Sequence, residues 1–191
     1  MKKGAAIFIV ITLAGISLVF LGRYMATVET TPNAVFNPAT VLSMRLTSTA
    51  FQTNGSIPSK YTCDGKNVSP PLAIGDVPEN TKSLALIVDD PDAPRGVWTH
   101  WVAVNIDPGA REIAEGSVPP GSLQTGTSFG QPGWGGPCPP SGTHHYVFKL
   151  FALDTKLIGL DEHTPVDMIV EAMAGHVLAK AELVGLYSRR P

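Results

Sequence analysis

A short apolar run that ends in carboxylates and prolines constrains the fold of this chain more than any other feature. Residues 83–88 (SLALIV) are almost uninterrupted in their apolar character, which is typical of a strand buried on both faces. Residues 89–94 (DDPDAP) follow, and proline excludes helical geometry from the residue before it. The chain must therefore turn directly after a buried strand, and the carboxylates are predicted to lie in the loop after it.

A second strand is predicted over residues 98–106, with His100 near the same end of the sheet as the carboxylates. On a period of two, the residues that share the face of His100 are Trp98, Val102, Val104 and Ile106. The imidazole is therefore expected to point in the same direction as the core residues. Two interpretations stay open here: a surface turn beside a core histidine that bonds a backbone carbonyl, or a site in which carboxylates and imidazole act together.

A loop rich in glycine and proline precedes a third strong strand. Residues 130–143 (GQPGWGGPCPPSGT) exclude regular structure, and successive N–H groups in such a loop can form a concave anion nest. The strand predicted over residues 144–153 places His144 and Tyr146 on one face and His145 on the other. Imidazole and phenol groups can both donate to an oxyanion, so the start of this strand is a candidate binding site.

Composition limits the classes of function. The 14 basic and 16 acidic residues nearly cancel, so the chain lacks the positive field that duplex nucleic acid requires. The 19 glycines and 17 prolines among the 191 residues indicate many strands joined by turns. No cofactor-binding motif occurs, so no cofactor is expected.

The N-terminus is predicted to carry a membrane segment. Residues 4–21 (GAAIFIVITLAGISLVFL) have no charge and are long enough to cross a bilayer, and two lysines precede them. We interpret residues 1–22 as a transmembrane anchor that leaves the domain outside the cytoplasm, or alternatively as a signal segment whose cleavage makes the domain secreted or periplasmic. Residues 23–43 are polar and are predicted to be a flexible tether to a domain at 44–191.

Shorter elements are predicted at both ends of the domain. Residues 44–48 alternate like a first strand, and residues 57–65 are expected to form a short strand closed by an Asp-Gly turn. A C-terminal helix is predicted with Thr164 as N-cap and Pro165 at its first position. The last strand is expected over residues 181–187. These two elements flank His176, which has apolar neighbours and is interpreted as a buried structural histidine.

Two long motifs carry a resemblance to a known family. The DPDAP segment with Trp98 and His100, and residues 136–146 (GPCPPSGTHHY), resemble the two signature regions of the phosphatidylethanolamine-binding protein family. The likeness is greatest to its bacterial YbhB/YbcL branch, the Raf kinase inhibitor-like proteins. The supporting segments are YTCDG at 61–65, NVSPPL at 67–72, GHVLA at 175–179 and GLY at 185–187. The resemblance covers residues 44–190.

This resemblance implies a mainly β protein, a β-sandwich with a central antiparallel sheet and few peripheral helices. It also implies a small anion pocket, in which Asp92 would hold the loop. The residues that would line the pocket are Asp90, Pro94, Trp98, His100, Gly136, Pro139, His144 and Tyr146. One departure concerns His145, where the family often has arginine; we expect its side chain on the other face and weaker support behind the pocket.

The resulting hypothesis is a non-catalytic protein that binds phosphate or phosphoryl headgroups, such as that of phosphatidylethanolamine, and modulates an envelope protein. In it, Asp90 orients an imidazole that bonds the ligand. One alternative is an inhibitor of a kinase or peptidase that acts through protein contacts. Another is a phosphoester hydrolase that uses a metal or a His/Asp pair.

Cys63 and Cys138 are the only cysteines, and both lie within the family-like segments. Outside the membrane they could form a disulfide that closes a long loop. Two buried thiols are the alternative, and the sequence leaves the choice open.

Overall fold

The computed structural model describes residues 44–118 and 121–189, in which strands provide most of the regular structure. The elements are β1 (Arg45–Thr47), β2 (Gly55–Ser56), β3 (Leu72–Gly75), β4 (Ser83–Asp90), β5 (Trp98–Ile106), β6 (Glu112–Ile113), β7 (Leu123–Gln124), β8 (Thr143–Leu153), α1 (Val166–Met173) and β9 (Val177–Ser188). The prediction of a mainly β fold with few helices is confirmed.

Two sheets organise these strands. The larger has six strands in the order β2-β9-β8-β4-β5-β7, and the smaller has the order β1-β3-β6. Every pairing is antiparallel except that of β2 with β9. β4 lies inside the larger sheet between β8 and β5, and all eight of its residues are buried. This confirms that an apolar run of this kind forms a strand covered on both faces.

Apolar side chains form two separate cores, one on each face of the larger sheet. The first core packs Leu46 and Ile74 of the smaller sheet against residues of the larger sheet such as Phe148. The second core packs Ile169 and Met173 of α1 against the opposite face. The domain therefore has three layers: small sheet, large sheet and helix.

A β-bulge at His100 in β5 changes which of the later residues of the strand face the first core. Trp101 pairs with Val88 where regular alternation would place His100, so His100 is the extra residue of the bulge. His100 lies with Trp101 on the side of the first core, where its ring meets the Tyr146 ring at a centroid distance of 5.1 Å. The imidazole thus faces β8, as alternation from Trp98 predicts, and the bulge shifts the phase of the residues that follow.

The predicted shared face of β5 is wrong for Val102 and Val104 for this reason, while Trp98, His100 and Ile106 share the first-core face. Beyond the bulge the alternation changes phase, and Val102 and Val104 belong to the second core. A second irregularity next to Asn105, whose φ is 59°, returns Ile106 to the first core. A simple period of two cannot predict such phase changes, because each bulge adds one residue to the strand.

Two further expectations about the first half of the domain are wrong. Asp89 and Asp90 are the last two residues of β4 and not loop residues. Their side chains are satisfied by groups from neighbouring strands, so the strand continues beyond the apolar run. Residues 57–65 do not form a strand; they contain a short 3-10 turn at Ser59–Tyr61.

The C-terminal elements also differ from expectation. Pro165 occupies the N-cap of α1, and the hydroxyl of Thr164 bonds the Asp161 carboxylate instead of capping the helix. β9 begins at Val177, four residues before the predicted strand. His176 is exposed and its Nδ1 lies 2.8 Å from Asp154 Oδ1, so it is not a buried structural histidine. Apolar neighbours in sequence did not reveal this partner.

Within residues 44–118 and 121–189 the structure has no helix that is both long and apolar enough to cross a membrane. The predicted anchor or signal at residues 1–22, and the tether at 23–43, lie outside the described residues.

We expect Gly185→Ala to destabilise the domain. Gly185 lies in β9 opposite Tyr146, and a Cβ there would approach Ile57 Cγ1 to 2.5 Å and Phe51 Cε2 to 2.8 Å. Relieving this overlap requires shifts in the first core, with a loss of about 1–3 kcal/mol in the free energy of unfolding. Urea denaturation measures the loss.

Gly126→Ala is the matched control, because its Cβ would meet no atom closer than 3.5 Å. Equal stability of the two variants would contradict the packing described for β9.

Candidate functional site

The site is built on a buried hydrogen-bonded pair, an aspartate and a histidine, between the end of β4 and the start of β8. Because these strands are antiparallel neighbours, Asp90 and His144 lie side by side although 54 residues separate them. His144 Nδ1 is 2.7 Å from Asp90 Oδ2, and the two residues are only 6% and 4% exposed. A carboxylate oxygen only accepts, so Nδ1 carries the hydrogen and Nε2 remains free for another partner.

The second oxygen of Asp90 shapes the loop after β4. Asp90 Oδ1 accepts a hydrogen bond of 2.8 Å from the backbone N–H of Asp92. This is the local bond by which aspartate favours a turn two residues on. One buried carboxylate therefore fixes both the loop and the direction of the His144 ring.

His100 is held by the Gly/Pro loop. Its Nδ1 donates to the Gly135 carbonyl oxygen at 2.5 Å, and the Gly135 N–H donates to the His100 carbonyl at 2.9 Å. Burial lowers the pKa of His100, which outweighs the opposing effects of the Gly135 carbonyl and the Asp90 charge. The imidazole is therefore neutral at pH 7, with Nδ1 protonated and Nε2 able to accept.

Tyr146 brings a donor to the same place. Its hydroxyl is fully buried and completes no hydrogen bond within the described part of the chain, although the Asp90 carboxylate and the Cys138 N–H lie near enough to affect it. Burial, followed by the negative charge of Asp90, raises the pKa of the phenol well above its usual value. The group stays protonated and is available to donate to a ligand.

Asp92 is held by His145. Asp92 Oδ2 accepts from the His145 backbone N–H at 2.8 Å and from its Nδ1 at 2.7 Å. At the position where the family often has arginine, His145 anchors the loop after β4 through this carboxylate. These two hydrogen bonds lower the pKa of Asp92.

The other predicted residues lie around this centre. Trp98 is half-buried and meets the Phe129 ring edge-on at 5.4 Å. Gly136 donates its N–H to Asn67 Oδ1, and a Cβ there would lie 2.3 Å from that oxygen, so no other residue fits. Pro94 is exposed and Pro139 is buried, and neither takes part in the hydrogen bonds of the centre.

Sequence reasoning missed several residues that position the site. The ring of Phe129, which is 43% exposed, stands 5.3 Å from that of His100. On the opposite face of the sheet, Asp89 accepts from the Thr99 hydroxyl at 2.8 Å and pairs with Lys149 at 2.9 Å. Alternation along β4 could have indicated that Asp89 and Asp90 face opposite ways. No periodic signal exists for Phe129, because it lies in a loop.

A disulfide fastens the Gly/Pro loop. The structure joins Cys63 and Cys138, whose Cα atoms are 5.5 Å apart, and the Cys63 N–H donates to the Pro137 carbonyl at 3.1 Å. Both residues are exposed and bonded, so they are not the two buried thiols of the alternative interpretation. An open cavity of about 210 Å³ extends between Cys138, Phe129 and Trp134. No group of three or more metal-ligating side chains occurs among residues 44–118 and 121–189.

Comparison with known proteins gives one consistent family. The family model described as phosphatidylethanolamine-binding protein matches residues 47–188. A UPF0098 protein from Methanothermobacter thermautotrophicus is 52% identical over 151 residues, which cover 76% of this chain and 99% of the relative. A UPF0098 protein from Chlamydia trachomatis is 42% identical over 151 residues, which cover 76% of this chain and 99% of that protein.

Two solved structures are also similar. A putative phosphatidylethanolamine-binding protein homologue from Chlamydia trachomatis has a TM-score of 0.75 and 41% identity, covering 78% of this chain and 99% of that one. E. coli YbcL, a member of the mammalian PEBP family, has a TM-score of 0.73 and 33% identity, with the same coverage of 78% and 99%. Both similarities extend over the described domain.

Asp92→Asn should show that the ionised Asp92 carboxylate stabilises the loop in a pH-dependent way. Because the folded pKa of Asp92 is below its ordinary value of 3.8, its contribution is present above that value and is lost as pH falls through the folded pKa. We expect the wild type to be more stable than the variant at neutral pH, with a difference that shrinks under acid. Thermal unfolding from about pH 7 to about pH 3 measures it.

Asp76→Asn is the control, since Asp76 has only a long, exposed ion pair of 3.7 Å with Arg45. A difference between wild type and Asp92→Asn that stays constant with pH would contradict this role of Asp92.

Removing the disulfide by the double change Cys63→Ser and Cys138→Ser should lower stability by about 4 kcal/mol. The bond closes a loop with a sequence separation of 75, and restricting such a loop in the unfolded chain gives that figure in the chain-entropy model. Denaturation without reductant compares the variant with the wild type. A reductant should lower the stability of the wild type to that of the variant. If complete reduction left the stability of the wild type unchanged, the prediction would be contradicted.

Proposed function

The chain belongs to the phosphatidylethanolamine-binding protein family, and we propose that it is a non-catalytic protein that binds phosphate or a phosphorylated headgroup. The ligand would lie at the ends of β4, β5 and β8, where it would contact His144, Tyr146 and His100. Asp90 would orient the His144 imidazole, and the Gly/Pro loop would close one side.

The observation that carries the proposal is the Tyr146 hydroxyl. It is a buried, protonated donor with no hydrogen bond of full geometry among the described residues, although the Asp90 carboxylate and the Cys138 N–H lie close enough to influence it. Leaving such a group without a partner costs about 1–3 kcal/mol, whereas a hydrogen bond to a charged acceptor contributes about 1.5–3 kcal/mol. An oxyanion beside Tyr146 would provide that acceptor.

A non-catalytic role is supported by the chemistry of the same groups. Both cysteines are bonded to each other, and neither imidazole contacts a serine hydroxyl among residues 44–118 and 121–189. A histidine needs a nucleophile within hydrogen-bonding reach to activate it. With few charge-assisted bonds available, affinity for free phosphate should lie between about 1 mM and about 1 μM.

The proposal places the domain outside the cytoplasm, either anchored by residues 1–22 or released from them. An exposed disulfide supports this location, because such bonds persist mainly in oxidising compartments. There the ligand would be a free phosphoryl compound or the headgroup of a lipid such as phosphatidylethanolamine.

Tyr146→Phe should weaken binding of phosphoethanolamine at least tenfold, because one hydrogen bond to the anion is lost, worth about 1.5 kcal/mol. Calorimetric titration of the full chain measures this. Inorganic phosphate and vesicles containing phosphatidylethanolamine form the other two arms, and they distinguish a free anion from a lipid headgroup as the ligand.

Tyr187→Phe is the control: Tyr187 lies opposite His144 in β9, but its hydroxyl bonds Asp64 at 2.7 Å. This variant should bind like the wild type. If the folded wild type shows no saturable binding in any of the three arms, the proposed function is wrong.

A further inference from the structure

The orientation of the two imidazoles determines which form of a phosphoryl group fits the site. We propose that the site binds its oxyanion together with one proton, which is held between His144 Nε2 and an oxygen of the ligand. This inference rests on the proposed function and deepens it: the ligand is bound in its monoprotonated form, as a hydrogen phosphate ester and not as the dianion.

The first step is that both Nδ1 atoms are already occupied. His144 Nδ1 donates to Asp90, and His100 Nδ1 donates to the Gly135 carbonyl. Since a carboxylate and a carbonyl can only accept, each neutral ring has its hydrogen on Nδ1. Each Nε2 then offers a lone pair, and neither imidazole can donate to an anion without gaining a proton.

The second step is the charge around His144. The titratable groups that face it come from every packed element: Asp90 from β4, Asp92 from the following loop, His100 from β5, Tyr146 from β8 and Tyr187 from β9. His145 follows it in β8 and is engaged with Asp92. Lys149 is paired with Asp89 on the opposite face, and no lysine or arginine contacts either imidazole among the described residues. The nearby fixed charges are therefore negative.

A phosphoryl dianion in this place would face the lone pairs of both Nε2 atoms and the Asp90 carboxylate, with the Tyr146 hydroxyl as a donor. Coulomb repulsion between the dianion and the Asp90 carboxylate would disfavour this state strongly in a buried site. One added proton removes the conflict, because Nε2 or the ligand oxygen then donates to the other. Asp90 keeps its negative charge and continues to accept from Nδ1, and Tyr146 donates to a second oxygen.

His144 and not His100 is the residue that shares the proton. The Asp90 carboxylate on Nδ1 stabilises an imidazolium at His144 by a charge-assisted bond. His100 has only the neutral Gly135 carbonyl on its Nδ1, and burial lowers its pKa. The two rings are thus matched in tautomer but differ in their ability to carry charge.

The proton balance is measurable. At about pH 8 a phosphate monoester in solution is the dianion, since its second pKa is about 6. Binding must then take one proton from the buffer. We expect the association constant for phosphoethanolamine to fall close to tenfold per unit of pH above that point.

The test is calorimetric titration of the full chain with phosphoethanolamine at about pH 8 in two buffers of different protonation enthalpy. The difference in heat gives the number of protons taken up, and the expected value is near one. Saturable binding with no uptake would overturn this inference and leave the proposed function intact. The absence of any binding would overturn the proposed function itself.

Variants locate the proton. His144→Gln should bind more weakly and show uptake close to zero, while Tyr146→Phe should lose affinity but keep the uptake. His176→Gln is the control, because His176 also donates Nδ1 to an aspartate but lies at the other end of the sheet, where β8 ends and β9 begins. Full uptake in His144→Gln together with its loss in His100→Gln would overturn the assignment to His144.

Discussion

The site depends on a negative charge buried at the end of a central strand. Asp90 ends β4 at 4% exposure, where an unpaired carboxylate would destabilise the fold by several kcal/mol. Its two oxygens are satisfied by His144 Nδ1 and by the backbone of Asp92. The requirement to satisfy one charge therefore sets the direction of an imidazole, the turn after the strand and the proximity of two segments far apart in sequence.

The larger sheet provides two different surfaces at this end because alternation separates adjacent carboxylates. Asp89 points to the face of the second core and is neutralised by Lys149, whereas Asp90 points to the face of the first core and holds the histidine. Alternation in β5 from Trp98, which pairs with Asp90, places His100 on that same face, next to Tyr146. On the second-core face the carboxylate is paired with a lysine, whereas the first-core face carries the groups of the candidate site.

Sequence reasoning predicted β5 and β8 to within one residue of their ends because their patterns are strong, but it also predicted a strand within residues 57–65 that does not form and began the last strand four residues late. It predicted the pairing of Asp90 with an imidazole through the resemblance and not through spacing. It was wrong about the face of β5, since bulges leave no periodic trace, and about His176, whose partner Asp154 comes from another strand end. Phe129 was missed because loop packing depends on the finished fold.

The same features that would favour the proposed binding work against stability in the free protein. The Tyr146 hydroxyl is buried without completing a hydrogen bond, which costs about 1–3 kcal/mol, and the loop beside it contains many glycines whose order is entropically expensive. The disulfide between Cys63 and Cys138 fastens that loop to the turn at Ser59–Tyr61, and its contribution of about 4 kcal/mol exceeds the cost of the hydroxyl. In the proposed function, a crosslink next to the site would keep its side chains in position before a ligand binds. The ordering cost is then borne by folding and is not subtracted from the affinity.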